Sequence, residues 1–328
     1  MNKSLITFGL LAGVLVFDSE VLSRSSGMFP RLNLTLTRES ANSCGGNNSN
    51  FGCHRTTPIL TEVPVVVGQR VLNVNGTTSV RVSAVNNSVS GTRGGFSADV
   101  TRGALVAGTN TQTNSSGKAI THRNAFSTGR SWAFNYRAAL PGLTEMFVVA
   151  NAVNGNGRSD GGDQWALHSA VPSGLAAKAT PVRLFVNAPG VRSTGPGCDD
   201  GYGNFSVLGA ATSPTLGNSS FKLEAHGLPT SAQFMVMLSI GGGVPPFDMA
   251  VMGAPGCMLR TLMQLSVNGT TTPGNALRAE GRVELPLAIP NDPNLRGITL
   301  SIQVGALDGN PKRSFPMIVT NGIEMTIQ

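Results

Sequence analysis

The chain has 328 residues, enough for two domains that each bury a core of their own. It contains 41 glycines and 19 prolines, and only 12% of its residues are charged. This composition disfavours long helices and favours short strands joined by turns. The formal charge is +7, but the basic residues are scattered singly and aromatic residues are only 5%. Nucleic-acid binding needs a basic face, usually with aromatic platforms, so that function is excluded.

The N-terminus has the pattern of an export signal. Lys3 supplies a positive charge, and an apolar stretch from Leu5 to Phe17 follows it. We expect cleavage after Ser23, so that residues 1–23 are a signal peptide; an uncleaved anchor or a buried first strand is the alternative. No later apolar run is long enough to span a bilayer. The sequence therefore predicts a secreted, extracellular or cell-surface protein, with the periplasm as the alternative location.

The segment that follows the signal is rich in Asn, Ser and Gly, and it contains Cys44, Cys53 and His54. Covalent attachment of haem c requires two thiols and a histidine beside the second thiol, and here His54 follows Cys53 directly. The usual spacer between the cysteines has two residues, whereas this one has eight. A Cys44–Cys53 disulfide closing a small loop is the alternative, and spacing alone favours the disulfide.

Strand patterns begin near Ile59 and recur to about Val186, as in the alternation of residues 79–85. We predict turns at Asn75-Gly76, Gly94-Gly95, Pro141-Gly142 and Gly161-Gly162. A Pro/Gly-rich stretch at 188–197 marks a domain boundary. The sequence predicts an all-β fold of two β-sandwich domains, immunoglobulin-like or jelly-roll-like, over residues 24–187 and 188–328.

In the second domain, strands are predicted over residues 221–223, 234–240, 259–267, 282–287, 298–304 and 323–327. Cys198 and Cys257 lie in matching Pro-Gly-Cys contexts in this domain. An exported chain meets oxidising conditions, so we expect these two cysteines to form a structural disulfide.

A loop after the middle of the first domain is dense in side-chain oxygens and glycines. Oxygen ligands on a flexible loop suit calcium, although the spacing of an EF-hand is absent. Because Asn and Asp also stabilise turns, a purely structural loop is the alternative. The candidate calcium ligands are Asn151, Asn154, Asn156, Asp160 and Asp163.

Several short motifs occur in the order found in one family. They are Gly94–Val100, Ala119–Arg123, Trp132–Phe134, Val148–Gly157 and Gly162-Asp163. Over about residues 30–187 the chain resembles the bacterial Reeler-like domain, also grouped with choice-of-anchor secreted proteins.

The resemblance implies a c-type haem segment just before the sandwich, where this chain has Cys44, Cys53 and His54. It also makes His122, from the family's Thr-His pair, the candidate second axial ligand, with Met146 as a weaker alternative. A hydrogen-bonded sheet histidine is the structural alternative for His122. Bis-histidine ligation implies electron transfer, because the iron then has no open position for a substrate.

The second domain resembles a β module found at the C-termini of bacterial secreted proteins, and this resemblance implies no activity. Its matching motifs are Gly217–Phe221, Gly253–Cys257, Ile289–Leu295 and Thr320–Gly322.

Two functions are therefore weighed. The first is a secreted mono-haem electron-transfer protein that carries haem c, uses His54 and His122 as iron ligands, and either docks a redox partner or self-assembles. The second is a haem-free extracellular adhesion or structural protein with a Cys44–Cys53 disulfide. A hydrolase is excluded, because neither Gly-x-Ser-x-Gly nor His-Glu-x-x-His occurs, and the protein is not expected to be an enzyme.

Overall fold

The computed structural model describes residues 63–84, 91–123, 129–154, 164–168, 181–198, 205–273, 281–309 and 314–328. Within these ranges the regular structure consists of strands and two short 3-10 helices. The prediction of an all-β fold is confirmed. The predicted signal peptide, together with Cys44, Cys53 and His54, lies outside the described residues.

The first half of the described chain contributes eleven strands. They are β1 (Val65–Val67), β2 (Val71–Asn73), β3 (Thr77–Ser83), β4 (Arg93–Val100), β5 (Ala104–Val106), β6 (Thr111–Thr113), β7 (Ala119–His122), β8 (Ser131–Arg137), β9 (Gly142–Val153), β10 (Gln164–Leu167) and β11 (Val182–Asn187).

The second half contributes another eleven strands and both 3-10 helices, Met249–Met252 and Pro293–Leu295. The strands are β12 (Val191–Gly195), β13 (Val207–Gly209), β14 (Lys222–Leu228), β15 (Gln233–Ile240), β16 (Phe247–Asp248), β17 (Met258–Leu259), β18 (Leu265–Thr270), β19 (Gly281–Pro286), β20 (Thr299–Leu307), β21 (Met317–Val319) and β22 (Gly322–Thr326).

Two sheets form the first sandwich. One has the strand order β1-β3-β8-β5, and the other has the order β2-β11-β9-β4-β7-β6, with β10 on the far half of β9. Strands β3 and β8 alternate buried and exposed side chains, so each has one face in the core and one in water. Their register places Val80 opposite Phe134 and Val82 opposite Trp132, which aligns the buried faces of both strands.

The second sandwich also has two main sheets. The larger follows the order β12-β22-β20-β15-β18, with β21 also on β20, and the smaller follows β13-β14-β19. Large side chains such as Phe221, Leu223 and Ile302 are completely buried between them. Burial of each such side chain contributes roughly 1.5–3 kcal/mol, which makes the interior the main source of stability.

Buried apolar residues separate into one cluster within residues 63–186 and another within 191–327. A third, small cluster of Val71, Phe185 and Val207 lies between them. The ring of Phe185 packs against Gly209, where a Cβ would overlap with it. The predicted domain boundary at residue 188 remains a prediction, although it falls between the two large clusters.

One predicted strand is divided in the structure. Residues 259–267 were expected to be continuous, but β17 ends at Leu259 and β18 begins at Leu265. Between them, the backbone N–H of Arg260 donates to Oε1 of Gln303 (2.8 Å), and the Thr261 hydroxyl donates to the carbonyl of Ser301 (3.0 Å). These bonds to β20 replace ladder bonds, so the chain crosses from one sheet to another at this point.

Candidate functional site

Of the four residues predicted to bind haem, Cys44, Cys53, His54 and His122, the structure describes His122, which is the last residue of strand β7. All four residues of β7 are buried, and His122 itself is 8% exposed. Its Nδ1 atom lies 3.2 Å from the backbone nitrogen of Phe96 and 3.3 Å from the carbonyl oxygen of the same residue. The main chain of β4 therefore fixes the imidazole, and any bond to an iron would have to use Nε2.

Two glycines of β4 make room for this histidine. A Cβ on Gly95 would stand only 2.9 Å from Nδ1 of His122 and would overlap with the rest of the ring. A Cβ on Gly94 would stand 2.6 Å from the carbonyl oxygen of Asn151 and 3.3 Å from the Trp132 ring. The prediction of a turn at Gly94-Gly95 was therefore wrong, because both glycines lie inside β4 and serve close packing instead.

Aromatic rings extend from His122 into the core. The centroids of His122 and Trp132 are 6.2 Å apart, and Phe96 stacks on Trp132 at 5.0 Å. Beside them, Arg130 donates through Nε to the carbonyl of Arg93 (2.9 Å) and thereby joins β8 to β4. The sequence had pointed to Trp132 only through the family resemblance, because an alternating strand pattern does not distinguish an aromatic wall from ordinary core.

The structure brings part of the predicted calcium loop close to the histidine. Asn151 pairs with Gly95 across β9 and β4, so Asn151 and His122 flank the same glycine from opposite sides. Asn154 follows the end of β9, whereas Asn156, Asp160 and Asp163 lie outside the described residues. The calcium site therefore stays a prediction.

Among the residues with described positions, no three His, Cys, Asp or Glu side chains form a group that could hold a metal ion. Met146, the weaker candidate ligand, is completely buried and pairs with Val100, four residues along β4 from Phe96. At about 3.3 Å per residue, it lies well away from the His122 end of the sheet. For a haem, the described part of the chain therefore supplies His122 as a candidate axial ligand and no second candidate beside it.

The other two described histidines are structural. His168 is fully buried, and its Nδ1 atom lies 3.0 Å from the carbonyl of Val63. Burial lowers its pKa to about 4. His226 stacks on Phe185 at 6.3 Å and contacts Glu224 at 3.4 Å, and that hydrogen bond is the main reason why the pKa of Glu224 falls to about 2.

The predicted bond between Cys198 and Cys257 is present, with Cα atoms 4.5 Å apart. It links the segment after β12 to the segment before β17, and Sγ of Cys198 also accepts the backbone N–H of Val319 at 3.0 Å. A buried disulfide fits an extracellular or cell-surface protein, which is the predicted location. No helix in the described ranges is long and apolar enough to cross a membrane.

An apolar edge on the second sandwich was not predicted from the sequence. Among the described strands, β18 is the last of the larger sheet, and five of its six residues are exposed. Leu265 pairs with Leu238, and Val267 pairs with Val236. The β15 partners are buried, but Leu265 and Val267 remain 62% and 44% exposed.

Further exposed apolar side chains lie close to β18 in the sequence. In the described part of the chain, twelve large hydrophobic side chains are exposed, and eight of them fall between residues 240 and 267. This concentration differs from the isolated apolar residues that are normal on a protein surface. The β18 patch is the part of this set that lies on β18, in the segment leading into it or at the adjoining end of β15: Ile240, Leu262, Met263, Leu265 and Val267.

No family model matches the chain, and neither does any curated protein. Among solved structures, it is similar to the human F-spondin reeler domain at 14% identity, over 34% of this chain and 92% of that one, with a TM-score of 0.24. It is also similar to the D0-D1 domain of intimin at 8% identity, over 80% and 98%, with a TM-score of 0.25.

A third similar structure is the Yersinia pseudotuberculosis adhesin InvE, at 14% identity over 83% of this chain and 60% of that one, with a TM-score of 0.21. At these identities and TM-scores the similarities carry no argument, so no family, residue role or ligand is transferred from them.

Proposed function

We propose that this protein is an extracellular adhesion or structural protein that works by presenting a sheet surface to another protein, without a haem. The observation that carries the proposal is the exposed, uncharged edge formed by β18, which among the described strands pairs with β15 alone. A protein–protein surface of this kind requires no catalytic group and no cofactor.

The physical argument begins with the cost of such an edge. An unpaired strand offers free backbone N–H and C=O groups to any other strand, and soluble proteins usually block it with lysine, proline or a bulge. β18 contains no charged residue and no proline, and its pairing to β15 is regular. Together with the apolar side chains of the β18 patch, it has the properties of a site for strand addition.

The remainder of the molecule supports such a surface as a rigid scaffold. The larger sheet is held by the ladder of β15 on β20, and the Cys198–Cys257 bond fixes the segment that leads into the patch. The polar interior is also organised: Nε2 of Gln303 donates to the carbonyls of Met258 (2.9 Å) and Thr320 (2.7 Å). A preorganised edge loses little entropy when it binds a partner.

The test uses labelled protein of residues 24–328 with its disulfide formed, and it measures how much wild-type and variant protein is retained on the cells that produce it. Replacing Leu265 and Val267 together by Lys should reduce retention, because two charges then block the edge. Val66→Lys with Val106→Lys is the matched control, since these valines are also exposed but lie on the first sandwich. Equal retention of wild type and the β18 variant would contradict the proposal.

Haem-dependent electron transfer is the second candidate. The observation that favours it is the buried His122, whose Nδ1 lies within hydrogen-bonding distance of the Phe96 backbone. An iron would therefore have to bind Nε2 of this histidine. In this proposal Cys44 and Cys53 would form the thioether bonds, and His54 would be the other axial ligand. The haem would supply a one-electron redox centre.

A visible spectrum separates the two candidates. Protein matured in a host that attaches haem c should be colourless and contain a Cys44–Cys53 disulfide if the first proposal is correct. If haem is attached, His54→Ala should abolish its incorporation, whereas His122→Ala should leave it attached and give a high-spin spectrum.

A further inference from the structure

We infer that the partner of β18 is the β18 strand of a second copy of this chain, paired antiparallel about a twofold axis through Ser266. This inference rests on the proposed function, because it names the partner of the same edge. It follows from three features of the strand: the direction of its free backbone groups, the symmetry of its side chains and its lack of charge.

The hydrogen bonds of the sheet show which backbone groups point outward. The N–H of Thr271 donates to the carbonyl of Ala232 at 2.8 Å, and the N–H of Gly241 donates to the carbonyl of Thr299 at 2.8 Å. Along an antiparallel strand, the backbone groups of successive residues point alternately to the two neighbouring positions in the sheet. The N–H and C=O groups of Val267 therefore point toward β15, and those of Ser266 and Asn268 point to the open edge of the sheet.

The side chains around Ser266 are self-complementary. If Ser266 of two copies forms the central hydrogen-bonded pair, Leu265 of each copy stands opposite Val267 of the other. Both apolar pairs then lie on the face where these residues are now exposed, and cross-strand apolar pairs stabilise a sheet. A twofold axis through Asn268 would instead place Val267 opposite Gly269 and lose both pairs. An axis through Val267 would place Leu265 opposite Gly269 and keep one Val267–Val267 pair, so the axis is assigned to Ser266.

Charge favours a second copy over other partners. The run from Thr261 to Thr270 contains no charged residue, although the whole chain carries +7. Two copies can therefore join here without placing like charges opposite one another. The same strand has no cationic side chain that would hold an acidic peptide or a polyanion.

The first experiment uses protein of residues 24–328 with its disulfide formed, and it determines the mass of the particle in solution by sedimentation over a range of concentrations. Wild type should form a dimer, and Ser266→Pro should weaken the dimer about tenfold or more, because proline removes an outward N–H and leaves the bonds to β15 intact. Val267→Lys should have the same effect if the proline variant fails to fold. Val106→Lys on β5 is the control and should leave the dimer unchanged.

The second experiment tests the register. Ser266→Cys should give a disulfide-linked dimer, because hydrogen-bonded antiparallel partners have Cα atoms about 5.5 Å apart, within disulfide range. Asn268→Cys should cross-link much less. A dimer linked through position 268 rather than 266 would overturn the register.

A protein that stays monomeric at every concentration would overturn the inference of self-pairing. If its retention on cells still depended on Leu265 and Val267, the partner would be a different protein and the proposed function would stand. If retention were also independent of these two residues, both the inference and the proposed function would fail.

Discussion

The imidazole of His122 occupies the space beside Gly95 that a side chain at position 95 would need. The two residues come from neighbouring strands. Nδ1 of the histidine lies 3.2 Å from the backbone nitrogen of Phe96, the residue after that glycine. The glycine and the histidine therefore form one packing unit whose two members cannot be changed independently.

Gly95→Ala should destabilise the first sandwich by about 1–3 kcal/mol, because the new methyl group must displace a buried ring. The measurement is urea unfolding followed by tryptophan fluorescence, since both tryptophans, Trp132 and Trp165, precede the predicted domain boundary at residue 188. Gly309→Ala is the matched control, because a Cβ there meets nothing within 4 Å. A double variant with His122→Ala should recover part of the loss.

The Cys198–Cys257 bond closes a loop with a sequence separation of 59 residues. In the chain-entropy model a loop of that length stabilises the native state by about 4 kcal/mol, so reduction should loosen the second sandwich. Hydrogen exchange of β20 and β22 amides should accelerate when a reductant is added. Cys198→Ala with Cys257→Ala should show fast exchange without reductant and no further response to it; unchanged exchange on reduction would contradict the prediction.

Much of the fold is predictable from local pattern. The strand predicted over 234–240 is observed as Gln233–Ile240, and the turn predicted at Asn75-Gly76 is present, with Asn75 at a φ of 65°. Alternation identifies side chains that share a face, and Asn-Gly supplies the left-handed backbone of a tight turn. Both signals depend on neighbours in the sequence, so no tertiary information is needed.

The features on which the proposed functions depend were harder to predict. Alternation of Leu265 and Val267 indicates a strand with an apolar face, but it does not reveal whether another sheet covers that face. The role of Gly94 and Gly95 depends on side chains from β7 and β8 and on the backbone of β9, which a local turn rule cannot include. The haem hypothesis rests on Cys44, Cys53 and His54, which lie outside the described residues, so it stays a prediction.

His168 should make the first sandwich sensitive to mild acid. Burial lowers its pKa from 6.5 to about 4, and the charges of Arg70 and Arg183 act in the same direction, while the bond to Val63 opposes them. The unfolded chain therefore binds a proton at a higher pH than the folded one does. The contribution of His168 to the free energy of unfolding is fully present above about pH 6.5. It should fall by about 3 kcal/mol as the pH drops to 4.

The measurement for His168 is the urea midpoint from tryptophan fluorescence between pH 8 and 4. His168→Gln can still donate to the carbonyl of Val63 but does not titrate, so its midpoint should depend less on pH over this range. Its value at pH 8 gives the packing cost of the substitution alone, because the wild-type histidine is then neutral in both states. Parallel pH profiles for the two proteins would contradict the prediction.

Glu224 should control the acid limit of the second sandwich, in a lower pH window. The hydrogen bond from His226 and the interaction with Lys222, whose Nζ lies 3.1 Å from a Glu224 carboxylate oxygen, lower the pKa of this carboxyl from 4.5 to about 2. The folded state therefore releases this proton more readily than the unfolded state. The stabilisation is present above about pH 4.5 and is lost as the pH falls to 2.

The expected size of this effect is about 1–2 kcal/mol, less than the pKa shift alone implies, because Lys222 is 41% exposed and water screens its charge. Glu224→Gln should remove the pH dependence between 4.5 and 2 in the unfolding transition followed by circular dichroism. Glu284→Gln removes the other carboxylate that contacts Lys222 and is the matched control, since it leaves the bond between Glu224 and His226 in place. If both variants flatten the pH profile equally, the pH dependence is not specific to Glu224, and the prediction is wrong.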